Sequence, residues 1–127
     1  MSDIQQLQDH TKSIEAVQRY IYQHIDKPLN RDVLARVAGF SVSHLHRIFT
    51  ASVGVTMSDY VRELRLKRAG YKLRMGAVDI TEVALAAGYQ THAAFGKAFK
   101  KQYGLSPSDF RDLSCNQATQ LLMKGKP

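Results

Sequence analysis

Residues 33–62 run VLARVAGFSVSHLHRIFTASVGVTMSDYVR, and residues 82–111 run EVALAAGYQTHAAFGKAFKKQYGLSPSDFR. The second stretch repeats the first. Ala35 matches Ala84, and Ala38-Gly39-Phe40 matches Ala87-Gly88-Tyr89, each pair 49 positions apart. Leu45, Arg47, Phe49, Gly54, Ser58, Asp59 and Tyr60 match Phe95, Lys97, Phe99, Gly104, Ser108, Asp109 and Phe110, now 50 apart. The one-residue difference falls in the turn after the first glycine, where a loop tolerates an insertion. Each copy predicts two short helices joined by a tight glycine turn, the pattern of a helix-turn-helix unit.

Working outward, Ile14, Val17, Ile21 and Ile25 recur at helical spacing and predict a helix over 11–25. Residues 1–10 are polar and are expected to fray. Pro28 ends that helix by excluding its predecessor from the α region. Asn30 is the expected cap for a helix over 31–38, and Ser41 or Ser43 for one over 43–53 that Gly54 stops. A long helix over 57–75 follows, with Thr56 as its cap and Gly76 as its stop. Its expected apolar positions are Tyr60, Val61, Leu64, Ala69 and Leu73. Arg62, Arg65, Lys67, Arg68, Lys72 and Arg74 occupy its other faces, to lie along phosphates or to keep an exposed helix solvated. Asp79 opens a helix over 80–87, Gly88 turns the chain, and a helix over 92–103 ends at Gly104. Ser106-Pro107 opens a last helix to about Leu113. Residues 114–127 are expected to be weakly ordered. No segment alternates as a strand would. The expected fold is all-α, with about seven helices in two helix-turn-helix lobes, 1–55 and 76–113, joined by a linker helix over 56–75.

The 127 residues carry 18 Lys+Arg against 11 Asp+Glu, a formal net charge of +7. That balance favours a polyanionic partner without identifying it. No apolar run reaches membrane-spanning length, and the N-terminus has no apolar core of a secretion signal. Met1 close to the first helix fits a natural start. The single Cys115 has no internal disulfide partner. Together these features predict a cytoplasmic protein without a membrane.

Two tandem helix-turn-helix units on a basic chain predict a reader of two segments of double-stranded DNA. Leu45, Ile48 and Phe49, or Phe95, Ala98 and Phe99, anchor the second helix of each unit inward, and Phe40 or Tyr89 packs beneath it. The outward residues are then Ser43, His44, His46 and Arg47 in the first copy. In the second they are Thr91, His92, Ala93, Gly96 and Lys97, with Lys100 and Lys101 further along the same helix. The leading residues of such a helix meet base edges in the major groove. Arg47 suits guanine, Ala93 offers only apolar contact, such as to a thymine methyl, and Gly96 permits close approach. His44 and His46 lie two apart, on different faces, so one of them is peripheral. A linker helix of roughly 28 Å approaches the spacing of about 34 Å between successive major grooves on one duplex face. One monomer would then read an asymmetric site.

Other chemistries find no support. His10, His24, His44, His46 and His92 include no i, i+4 pair of the kind that binds zinc on a helix. No phosphate loop, nucleophile elbow or paired acid cluster is present. Cys115 has no adjacent basic helix end to activate it in the sequence. No catalytic residue, metal or cofactor is expected.

The residues that carry a resemblance are now in hand. They are Ala-Gly-Phe-Ser with His-Leu-His-Arg-Ile-Phe in the first copy, and Gly88-Tyr89, Phe95 to Lys101, Tyr103 to Pro107 and Phe110-Arg111 in the second. Over about residues 12–113 the chain resembles the DNA-binding domain of the AraC/XylS family of bacterial transcription regulators. The resemblance implies two lobes joined by a long helix, an activator bound beside a promoter, and contact with RNA polymerase. Without a sensing domain, the chain is similar to the stand-alone MarA/SoxS/Rob type. Base-reading positions of that type fall here on Ser43, His46, Arg47, His92, Ala93, Gly96 and Lys97. That type has tryptophan where Ser43 stands and glutamine where His46 stands, so the docking mode carries over and the DNA sequence does not. Two other readings compete: a non-specific architectural DNA binder, and a helical module for an acidic protein partner.

Overall fold

A computed structural model of the protein describes residues 3–76 and 79–124. They form eight helices: α1 Asp3–Gln23, α2 Arg31–Ala38, α3 Val42–Val53, α4 Met57–Arg74, α5 Ile80–Ala86, α6 His92–Tyr103, α7 Pro107–Arg111 and α8 Cys115–Lys124. No strand occurs among the described residues. The chain divides into two compact units, Met1–Val61 and Arg62–Pro127.

In the first unit, α1 contributes Ile14, Val17 and Ile21 to the core, and Ile25 follows from the turn beyond it. Leu34, Ala35 and Ala38 of α2, Leu45 and Phe49 of α3, and Met57 and Tyr60 from the first turn of α4 are buried in the same unit. Phe49 and Tyr60 meet edge to face at 5.3 Å, a favoured aromatic geometry. The helix expected over 11–25 begins earlier, at Asp3. No glycine or proline lies between 3 and 23, and the leading residues include good helix formers such as Gln5, Gln6 and Leu7, so the helix continues where fraying was expected. At its other end the His24 ring stacks on Tyr20 at 4.0 Å, and Nδ1 donates to the Tyr20 carbonyl at 2.9 Å.

The second unit is centred on Phe95 and Phe99 of α6 and Phe110 of α7, all fully buried. Leu66, Ala69 and Leu73 of α4, Val83 and Ala84 of α5, and Tyr103 complete the cluster with Ala118 and Leu122 of α8. The boundary between the units falls inside α4, after its first turn, so this one long helix joins them. This explains the ragged apolar pattern of α4: Tyr60 belongs to one core, and Leu66, Ala69 and Leu73 to the other. Leu66, absent from the expected stripe, is 1% exposed, while Leu64 is only half-buried.

The tail is the larger departure. Where weak order was expected over 114–127, helix α8 spans Cys115–Lys124; residues 125–127 lie outside the described ones. Ser114 caps it, its Oγ accepting from Gln117 N while Gln117 Oε1 accepts from Ser114 N. Ala118 and Leu122, one helical turn apart, are each 2% exposed. The reason lies in α4: a Cβ added at Gly70 would meet Leu122 Cδ2 at 2.7 Å and Phe110 at 3.5 Å. A glycine 52 positions before Leu122 makes the groove that holds the tail.

The turns of the two copies superimpose in their bonding. Phe40 N donates to Ala35 O at 3.0 Å and Tyr89 N to Ala84 O at 3.0 Å. Gly39 and Gly88 carry φ of 77° and 94°, a left-handed backbone that favours glycine. Further on, Thr56 Oγ1 accepts from Asp59 N, and Ser106 Oγ from Asp109 N, both at 3.1 Å.

Two outcomes are expected. Leu122→Ala leaves a void against α4 and α7 and costs about 2–5 kcal/mol, read by denaturant unfolding. Burial pushes the Tyr103 phenol up to about 12, with the charges of Tyr71 and Glu63 adding to the rise and Gln102 opposing it. Its folded pKa lies above the unfolded value, so its contribution is intact below the unfolded pKa of about 10 and is lost as pH rises toward 12. Tyr103→Phe should flatten the decline in stability between those values, measured by thermal unfolding across alkaline pH.

Candidate nucleic-acid interface

Helices α3 and α6 are built alike. Ser41, one of the two candidate serines, caps α3 by accepting from His44 N at 3.1 Å. Thr91 caps α6 by accepting from Ala94 N at 3.0 Å. Each helix runs for 12 residues to a left-handed glycine, Gly54 or Gly104, whose N–H donates to Thr50 O or Lys100 O. Leu45 and Phe49 in α3, and Phe95 and Phe99 in α6, are fully buried. With those positions fixed inward, the helical period fixes what points out.

On α3 the outward residues are Ser43, His46 and Arg47, all exposed, with half-buried Thr50 one turn further. On α6 they are Ala93, Lys97 and Lys100, exposed, with Gly96 half-buried between them. These are the same positions, i, i+3, i+4 and i+7, in the two copies. Lys101 lies exposed at the edge of the α6 face, and His92 is exposed at its first residue. Thr50 was missing from the sequence-based set. Its Oγ1 donates to His46 O at 2.9 Å, and the i+7 spacing from Ser43 was the available signal.

Two expected residues sit differently. His44 is half-buried, its ring 4.6 Å from Phe40 and 5.8 Å from His10. His10 also meets Phe40 edge to face at 5.5 Å. His44 is thus packed against Phe40 and His10, while His46 on the same helix is exposed. Thr91 has its hydroxyl oxygen engaged in the cap.

The basic residues of α4 are used unevenly. Arg74 donates through Nη1 to Arg111 O at 2.7 Å and Leu113 O at 2.6 Å, satisfying carbonyls that end α7. Its guanidinium thus ties α4 to the end of α7. The Arg65 guanidinium lies 3.4 Å from where a Cβ on Gly88 would stand. Burial raises the pKa of Tyr89, and the nearby charges of Arg62 and Arg65 partly offset the rise. Arg74 Nη2 also lies 3.6 Å from Cys115 Sγ, at the first residue of α8. The thiol thus has the basic neighbour that its sequence surroundings lack. Among the described residues, no three His, Cys, Asp or Glu side chains are grouped to hold a metal ion. No described helix is long and apolar enough to cross a membrane.

Known proteins share this arrangement. A family described as a helix-turn-helix domain matches residues 34–113. The chain is 37% identical over 102 residues to Regulatory protein SoxS of Escherichia coli strain K12, covering 80% of this chain and 95% of that one. It is 30% identical over 112 residues to the Msm operon regulatory protein of Streptococcus mutans, covering 87% of this chain and 40% of that one. A solved transcriptional regulator with an AraC-type DNA-binding domain, from Chromobacterium violaceum, matches with a TM-score of 0.76 at 26% identity, over 87% of this chain and 95% of that chain. The chain belongs to the AraC-type family of helix-turn-helix DNA-binding transcription regulators, and is not an enzyme.

Proposed function

We propose that the protein is a sequence-specific transcriptional activator that acts as a monomer in the cytoplasm. It reads an asymmetric duplex site through α3 and α6 in successive major grooves. The observation that carries this reading is the pair of matched faces. Equivalent positions on equally capped helices present Ser43, His46 and Arg47 in one copy and Ala93, Gly96 and Lys97 in the other. Different side chains at matched positions of one chain call for two different half-sites, with no second protomer required.

Arg47 is the principal base reader. Its guanidinium can donate two parallel bonds to guanine O6 and N7. His46 and Ser43 add shorter-range donors and acceptors beside it. Lys97, Lys100 and Lys101 bring positive charge toward phosphates, the sequence-independent part of affinity. Activation and a contact with RNA polymerase follow from the family resemblance. The net charge of +7 and the plain face of α6 favour one other reading, a non-specific architectural DNA binder.

Selection from random duplexes at about 150 mM salt separates the two, because non-specific binding weakens steeply with salt. The activator reading expects one bipartite, non-palindromic motif; an architectural binder yields none. Arg47→Ala should cost about 1–3 kcal/mol and relax preference at one base pair. A uniform loss across all sequences would make Arg47 a phosphate contact. Lys100→Ala should weaken all duplexes alike and reduce the salt slope by about 1, measured by fluorescence anisotropy across a salt series.

A further inference from the structure

The glycines of this chain sort by what the fold asks of them. Gly39, Gly54, Gly76, Gly88 and Gly104 have positive φ, and Gly70 makes room for Leu122. Among the described glycines, Gly96 alone has neither reason: its φ is not positive, and nothing lies within 4 Å of a Cβ added there. It sits in the interior of a 12-residue helix, where glycine is a poor choice and alanine a better one. The fold therefore gains nothing from the missing side chain. Its matched position in the first copy, His46, carries an exposed imidazole.

We propose that Gly96 is a specificity-determining residue. Its bare backbone lets α6 sit close against the major-groove edge, so that the second half-site is read through the C5-methyl groups of thymine. The inference rests on the reading of α6 as a DNA-reading helix. Its neighbours support the chemistry. Ala93, one turn earlier, offers a methyl and no hydrogen-bonding group. Lys97 and Lys100, exposed on the same face, supply charge that draws the helix toward phosphates. The thymine methyl is the apolar group that base pairs present in the major groove. A surface of Ala93 and the Gly96 Cα can bury it, and an added side chain at 96 would hold the helix away.

The test uses the full chain and the duplex it selects. Replacing thymine by deoxyuridine in the α6 half-site removes only the methyl, and should weaken binding about fourfold per buried methyl. Gly96→Ala should raise Tm by about 3 °C, because helix propensity improves. The same change should weaken specific binding by about tenfold, from steric crowding at the closest approach. A merely structural glycine would give the opposite sign in Tm. A lower Tm for Gly96→Ala, unchanged affinity for that variant, or indifference to deoxyuridine in the α6 half-site would each overturn the proposal. If a motif is selected while the α6 half shows that indifference, DNA reading stands and this inference alone falls. If no motif is selected, the reading of the helices falls and takes the inference with it.

Discussion

One backbone hydrogen bond, made twice, sets the geometry on which the rest depends. The N–H of the aromatic residue after each turn donates to an alanine carbonyl five residues earlier, Phe40 to Ala35 and Tyr89 to Ala84. The bond closes only because the intervening glycine takes a left-handed conformation that a side chain would oppose. It settles where the next helix starts and which way it rotates about its own axis. Leu45 and Phe49, or Phe95 and Phe99, then fall inward. The extra residue of the second copy, Gln90, lies after this bond and before the Thr91 cap, so it lengthens the connection without altering either device.

Helix α4 shows the other constraint, that one element serves two cores. Its first turn supplies Met57 and Tyr60 to the first unit, and Leu66, Ala69 and Leu73 belong to the second. Two of its polar groups are committed as well. Arg74 holds the end of α7, and the Glu63 carbonyl accepts from Gln102 Nε2 at 3.1 Å. The helix that joins the two units is thus also part of the second unit's frame.

The legible features were the local ones. Caps at Asn30, Thr56, Asp79 and Ser106, glycine stops and the inward aromatics can be read from sequence because each depends on a few neighbouring residues. What escaped depends on residues far apart in the chain. Helix α8 is seated in a groove at Gly70, 52 positions before Leu122, and nothing in the tail's own sequence shows that groove. The Arg74 bridge to α7 spans nearly forty positions, so a phosphate ligand and a structural clamp look the same in sequence. The sequence leaves His44 open between reader and packing residue, because its contact with His10 joins positions 34 apart. The outward face follows from the helical period, and Thr50 lies on it one turn beyond His46.

Of the outward positions of α3 and α6, Ser43, His46, Arg47, Ala93, Lys97 and Lys100 are exposed, and none belongs to the buried core. Surface substitutions of that kind usually change stability by less than about 0.5 kcal/mol. On the proposed reading, the surface that would distinguish one promoter from another is largely decoupled from the residues that keep the protein folded. Each half of the target can drift under selection without waiting for a compensating change in the scaffold, and the two halves can drift separately. Duplication of one folded frame gives a regulator whose vocabulary is free to evolve while its grammar stays fixed.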